Sequence, residues 1–175
     1  MAAIALTPKS FILQGISPIF IKATTLTTLD WINIPNCRGV LGGFFEVASS
    51  TNNTAPGAAT WEYGVALSTA AYATVTTTSI VIDGAGAHAT ITRLVPFFAK
   101  CKSGEIIEVV ADSAPEAATA TWTIRRGCLG TTPAAIADND YFEIMNQLVL
   151  ASTPVGTVTG IVFPIAQEPG ANLMV

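Results

Sequence analysis

Charge is scarce in this chain: Asp, Glu, Lys and Arg together make up 11% of its 175 residues, against about 25% in an ordinary soluble domain. The eight Lys and Arg are scattered from Lys9 to Arg126, are outnumbered by twelve acids and form no stripe. Without a basic field to neutralise phosphates, the sequence argues against direct nucleic-acid binding. Histidine is reduced to a single residue, His88. The three cysteines, Cys37, Cys101 and Cys128, are odd in number, far apart and free of any C-x-x-C pair. That pattern argues against both a disulfide framework and a zinc site, and suits buried thiols in a chain made in a reducing cytoplasm.

Long apolar runs are missing too. Half the residues are hydrophobic and the mean hydropathy is +0.52, yet no stretch approaches the ~18 to 20 residues that cross a bilayer. Thr, Ser, Gly, Asn or Pro interrupts each one, as in Pro18-Ile19-Phe20-Ile21-Lys22. A helical membrane protein is excluded, and no membrane partner is expected. Met1 to Lys9 lacks the basic and apolar regions of a signal peptide, so the sequon at Asn52-Asn53-Thr54 reads as an ordinary loop.

What remains is Ala, Val and Ile scattered among Thr and Gly, the composition of half-buried strands. Apolar residues recur with a period near 2 and almost nowhere at 3.6. Strands are expected over Ile16 to Thr25, Trp31 to Ile34, Gly43 to Ala48, Trp61 to Leu67, Thr74 to Ile82, Ala87 to Leu94, Glu105 to Ala111, Thr119 to Arg125, Tyr141 to Leu150 and Thr157 to Pro164. Ser49 to Gly57 is a polar loop, and Asp83-Gly84-Ala85-Gly86 signals a hairpin turn. Pro115 cannot donate to a ladder and belongs in the connection from Asp112 to Ala118. The expected fold is all-β, a β-sandwich or small β-barrel of about ten short strands with long loops and extended termini. At this length one β domain is large enough to bury a core. It could divide into two lobes: N-terminal strands and arm over 1–50, a β module over 60–166 and a C-terminal tail over 167–175.

No catalytic constellation emerges, and no enzyme is expected. His88 sits at a turn with no nucleophile to serve, there is no G-x-S-x-G elbow, and Ser79 and Ser103 lie in no activating motif. Glu105 and Glu108 are three apart on a strand and so face opposite ways. Asp138-Asn139-Asp140 lacks the glycine and the terminal glutamate of a calcium loop and reads as an Asx-rich turn. No cofactor and no metal is expected.

One stretch stands apart: Gly104-Glu105 opens a strand, a second strand ends in Arg125-Arg126-Gly127, and Cys128-Leu129-Gly130-Thr131 leads into Thr132-Pro133-Ala134-Ala135. Gly127 and Gly130 allow positive φ, and Thr131 can return a hydrogen bond to the turn. Arg125 and Arg126 leave the strand on opposite faces. One can stay at the surface while the other acts as a fork that fastens the loop to a carboxylate or to carbonyls. Gly104, Glu105, Arg125, Arg126, Gly127, Gly130 and Thr131 are therefore the candidate structural residues.

This stretch, Gly104 to Ile144, resembles a β module that recurs in structural proteins of tailed-bacteriophage virions. The module runs glycine-glutamate, strand, second strand ending in Arg-Gly, two residues, Gly-Thr and an Ala-rich tail. Such proteins commonly carry a His after the Ala run and a glycine before the next strand. Here Ile136 and Asp138-Asn139-Asp140 stand in that region, so no role for that His is carried over.

The resemblance implies a virion location, reached by assembly in the bacterial cytoplasm, with the major capsid protein or other virion subunits as partners. It also implies association of the chain with itself, a trimer first among the possibilities. A low-charge surface with apolar ends at Met1 to Ser10 and Gln167 to Val175 suits a subunit covered by neighbours. The chain is short for a capsid shell protein and lacks the helix of a tail-tube subunit. A head decoration, or cement, protein is the leading expectation. A tail or baseplate component, tube, tip or fibre attachment, is the alternative.

Overall fold

The computed structural model describes residues 19–26, 31–34, 37–49, 57–58, 61–84, 92–150 and 156–167. Among them are eleven strands and no α-helix: β1 (Ile19–Leu26), β2 (Trp31–Asn33), β3 (Cys37–Ser49), β4 (Gly57–Ala58), β5 (Trp61–Ser68), β6 (Ser79–Gly84), β7 (Phe97–Cys101), β8 (Ile106–Asp112), β9 (Ala120–Arg125), β10 (Tyr141–Leu150) and β11 (Gly156–Gln167). The protein is all-β, as the period-2 pattern predicts.

Six strands close a barrel. The order β10-β5-β6-β9-β8-β7 returns to β10 through the pairs Phe142↔Cys101 and Ile144↔Ala99. Beyond Ile144 the β10 register with β5 shifts, and β2 takes the place beside β10 that β7 has left, with Gln147 opposite Asn33. A second, four-stranded sheet, β1-β11-β3-β4, lies against the barrel wall. Every named pairing is antiparallel.

Alternation fills the barrel. β9 reads buried, exposed, buried along Ala120, Thr121, Trp122, Thr123, Ile124 and Arg125, which turns its apolar residues inward and leaves threonines outside. Trp122 occupies the centre, fully buried, with the ring of Phe97 edge-on at 5.3 Å and that of Phe142 tilted at 5.6 Å. Ile80, Ile82, Ile107, Val109, Ile124, Ile136 and Ile144 pack around them. The outer wall holds a smaller apolar seam of Phe98, Met145 and Ile165, where the second sheet covers it. Gly39 in β3 passes close there, since a Cβ would stand 3.0 Å from that of Met145. Tyr63 adds a tie by donating its hydroxyl to the Val40 carbonyl at 2.7 Å.

Several sequence expectations need correction. The sequence predicts a strand over Ala87 to Leu94, but residues 92–94 are not strand and the strand is β7 at Phe97–Cys101; of the expected turn, Asp83 and Gly84 end β6, and 85–91 with His88 lie outside the described residues. β7 is buried at four of its five positions, on the barrel face and on the face beneath the second sheet, so it shows no alternation. Thr74 to Thr78 is a turn and β6 starts at Ser79. The loop expected over Ser49 to Gly57 ends against β4, which pairs with Glu46 and Val47. β11, the last segment described, completes the sheet of β1, β3 and β4, while β2 joins the barrel. Residues 1–18 and 168–175, expected to be extended ends, lie outside the described residues.

Candidate structural site: the clamp at one end of the barrel

β8 and β9 are neighbours, so the residue entering β8 and the residue leaving β9 meet at the same end of the barrel. Those residues are Glu105 and Arg126. The Arg126 guanidinium forks onto the carboxylate, Nε to Oε1 at 2.7 Å and Nη2 to Oε2 at 2.6 Å. Backbone N–H groups complete the shell, Gly127 donating to Oε1 and Ala134 to Oε2, each at 3.0 Å. Nη2 also donates to the Ala134 carbonyl. The two side chains are 0% and 6% exposed, so nearly all of this lies out of water, where charge-assisted bonds are strongest.

Burial alone would raise the Glu105 carboxyl. The Arg126 fork and the Ala134 and Gly127 N–H groups outweigh it and hold the carboxyl below its ordinary range. The same contact raises Arg126 further above its already high value. Both shifts favour the ionised pair.

The clamp shapes the loop that follows. Gly127 and Gly130 have φ of 62° and 76°, and Leu129 between them sits at φ 54°, ψ 32°. Thr131 pins the turn: its Oγ1 donates to the Cys128 carbonyl at 2.8 Å and accepts the Ile106 N–H at 2.9 Å. Gly104, at φ 89°, lets the β7–β8 turn deliver Glu105 inward. Arg125 leaves on the other face, 70% exposed, and reaches Glu108 at 3.0 Å. The structure thus brings Glu105, Arg126, Gly127 and Thr131 into one unit, with Gly104 and Gly130 at its turns and Arg125 outside it. Asp138-Asn139-Asp140 forms a neighbouring turn in which Asp140 Oδ2 accepts the Ala137 N–H at 2.8 Å and Lys102 pairs with Oδ1 at 3.0 Å.

A side chain at Gly127 is penalised twice, by its φ and by Pro133 Cδ and the Thr131 carbonyl, each 3.0 Å from where a Cβ would stand. Gly130 has open space and only its φ of 76°. Gly130→Ala is expected to cost about 1 kcal/mol and Gly127→Ala more. Urea midpoints of the two variants check the order, and equal midpoints would refute it.

Two charged groups escaped the sequence reading. Arg93 and Asp112 close the opposite end of the barrel, Nε to Oδ2 at 2.5 Å, with side chains 2% and 0% exposed. Arg93 Nη2 also donates to the carbonyls of Ala114 and Ala117, at 2.7 and 3.0 Å. Asp112 Oδ2 accepts the indole N–H of Trp122 at 2.9 Å. Arg38 of β3 joins Arg125 on Glu108 and so ties the second sheet to the barrel. The only sequence signal for Arg93 was a lone cation in an apolar neighbourhood, and nothing pointed to its partner.

Each mouth of the barrel is stoppered by a buried ion pair, and the interior is packed with side chains. Among the described residues no three His, Cys, Asp or Glu side chains gather to hold a metal. Cys37 and Cys101 are buried thiols, pushed by desolvation up to about 11 and about 12, which favours the neutral thiol. Cys128 is half-buried and raised in the same direction by the same cause. Compared with protein-family models, with curated proteins and with solved structures, the chain matches none.

Proposed function

We propose that the chain is a non-enzymatic structural protein of a tailed-bacteriophage virion, and that it binds the outside of the head as a decoration protein. The observation that carries the reading is the clamp. Of the residues on which the resemblance rests, Glu105, Arg126 and Gly127 bond to one another, and Thr131 fastens the turn that follows to Ile106 and Cys128. This bonding supports reading the stretch as a structural unit. A filled barrel with both mouths stoppered supports a protein that acts through its surface. The major capsid protein is the partner in this reading.

Binding only to the assembled head stabilises it by mass action. Particles with and without the protein, heated in parallel, are expected to release DNA at a higher temperature when it is present, and labelled protein should decorate heads in negative stain. Equal release temperatures with label on the tail would replace this reading with a tail component.

A further inference from the structure

β10 does not run straight. Ile144 stands opposite Gly64 and Leu148 opposite Tyr63, so Met145, Asn146 and Gln147 fall between two consecutive residues of β5. On the other side of β10 the ladder with β7 stops at Ile144 and Ala99, although β7 reaches back to Phe97. β2 pairs with β10 from Gln147 to Val149. A bulge of this size gives up ladder bonds on both sides and needs a cause.

The cause lies in where a straight strand would put Asn146. Carried on past Ile144, the same registers set Met145 opposite Tyr63 and Phe98, and Asn146 opposite Phe97. Residue 146 would then share the inner face with Phe142 and Ile144, and its amide would enter the core against Phe97, whose ring meets Trp122. A carboxamide buried among apolar side chains is unfavourable.

The bulge gives the amides polar partners instead. Asn146 Nδ2 donates to the Leu94 carbonyl at 3.1 Å, and Gln147 Nε2 to that of Thr92 at 2.7 Å. Asn33 of β2 donates to the same Thr92 carbonyl at 2.9 Å, and the Asn146 carbonyl accepts the Ile34 N–H at 2.9 Å. A carbonyl only accepts, so these contacts fix which end of each amide faces the 92–94 segment. The three amide oxygens point elsewhere, buried and without a hydrogen bond among the described residues. Both registers thus leave polar groups unmet, and the protein adopts the one that keeps Asn146 out of the core.

We infer that Asn146 is a register lock: it bars β10 from running straight, and without it β10 slips by three residues, extends its ladder along β7 to Phe97 and releases β2. The step is local, because the pairs from Tyr141 to Ile144 are the same in both registers. Gly64 serves the bulged one. A Cβ there would stand 2.4 Å from Gln147 Oε1, whereas in a straight strand Gln147 would lie opposite Trp61, clear of it. The inference is read on the isolated protein and is independent of the phage reading.

The test is heteronuclear NMR on the full chain, with contacts between facing strands reporting the register. The parent should show Leu148 facing Tyr63 and a protected Ile34 N–H. Asn146→Leu should add contacts of Met145 with Tyr63 and Phe98. Exchange at the Ile34 N–H should quicken at least about tenfold, the effect of lifting a buried-amide penalty from the straight register. Asn146→Ala adds no volume and should shift the same way, and Gly64→Ala combined with either change should push the population further. Folded variants that keep Leu148 opposite Tyr63, with no second set of contacts, would overturn the inference. So would loss of folding in both Asn146 variants, because the amide would then be a support of this register and not a bar to the other.

Discussion

Replacing Glu105 with Ala is expected to destabilise the fold by about 3 to 5 kcal/mol, the cost of leaving one charge of a buried pair uncompensated. Four donors lose a carboxylate oxygen at once, two nitrogens of Arg126 and the N–H groups of Gly127 and Ala134, and only Arg126 Nη2 keeps another acceptor, the Ala134 carbonyl. In a chain of this size the loss corresponds to roughly 6 to 20 °C in Tm. The paired substitution Glu105→Met with Arg126→Met should recover only part of it. An apolar pair removes the buried charge but leaves the two backbone N–H groups without partners. Urea unfolding of the three proteins gives the comparison, and a Glu105→Ala midpoint near that of the parent would deny the clamp its structural role.

The same pair sets a pH dependence. Because the Glu105 carboxyl is held below its ordinary range in the folded protein, its contribution is complete above the unfolded-state value of about 4.3 and is lost as pH falls through the folded value. Stability of the parent should therefore decline on acidification below about pH 4.5. Glu105→Ala should lack that component, so that the two curves converge at low pH.

Trp122→Ala is the other large effect, expected at about 3 to 5 kcal/mol. The indole is fully buried between Phe97 and Phe142 at the centre of the barrel, and removing it leaves a void that six hydrogen-bonded strands cannot close around. Trp122→Phe keeps most of the packing and gives up the indole bond to Asp112, worth about 1 kcal/mol. Chemical denaturation followed by far-ultraviolet circular dichroism distinguishes the pair, because neither readout needs the tryptophan itself. Equal losses in the two variants would place the weight on the hydrogen bond instead of the volume.

How much of this was legible in the sequence depended on how many faces of a strand are buried. β9 and β10 were read correctly to within a residue, because Ala120 to Arg125 alternates cleanly and Tyr141 to Leu150 is bounded by turn residues. β7 was missed because Phe97, Phe98 and Ala99 are all buried, and a run buried on both faces carries no period. The clamp could be anticipated because glycine and arginine at fixed spacing carry local geometry. Arg93 and Asp112 could not, since they stand nineteen residues apart in sequence and only strand pairing brings them together. The joining of β11 to β1 and β3 was equally hidden, because register between distant strands leaves no mark on composition.

That long-range pairing has a consequence for how the protein comes into being. β1 and β3 are made early, yet the strand that pairs with both, β11, is made more than a hundred residues later. At about 5 to 20 residues per second, β1 and β3 wait for about 5 to 30 seconds with their hydrogen-bonding edges open. The barrel strands from β5 to β10 can close during that interval, so the second sheet is added last, onto a wall already built. A nascent chain in this condition offers two unpaired edges to any neighbour. Its yield in the cell therefore depends on how crowded its own ribosomes are, since the polysome is where those edges first meet copies of themselves.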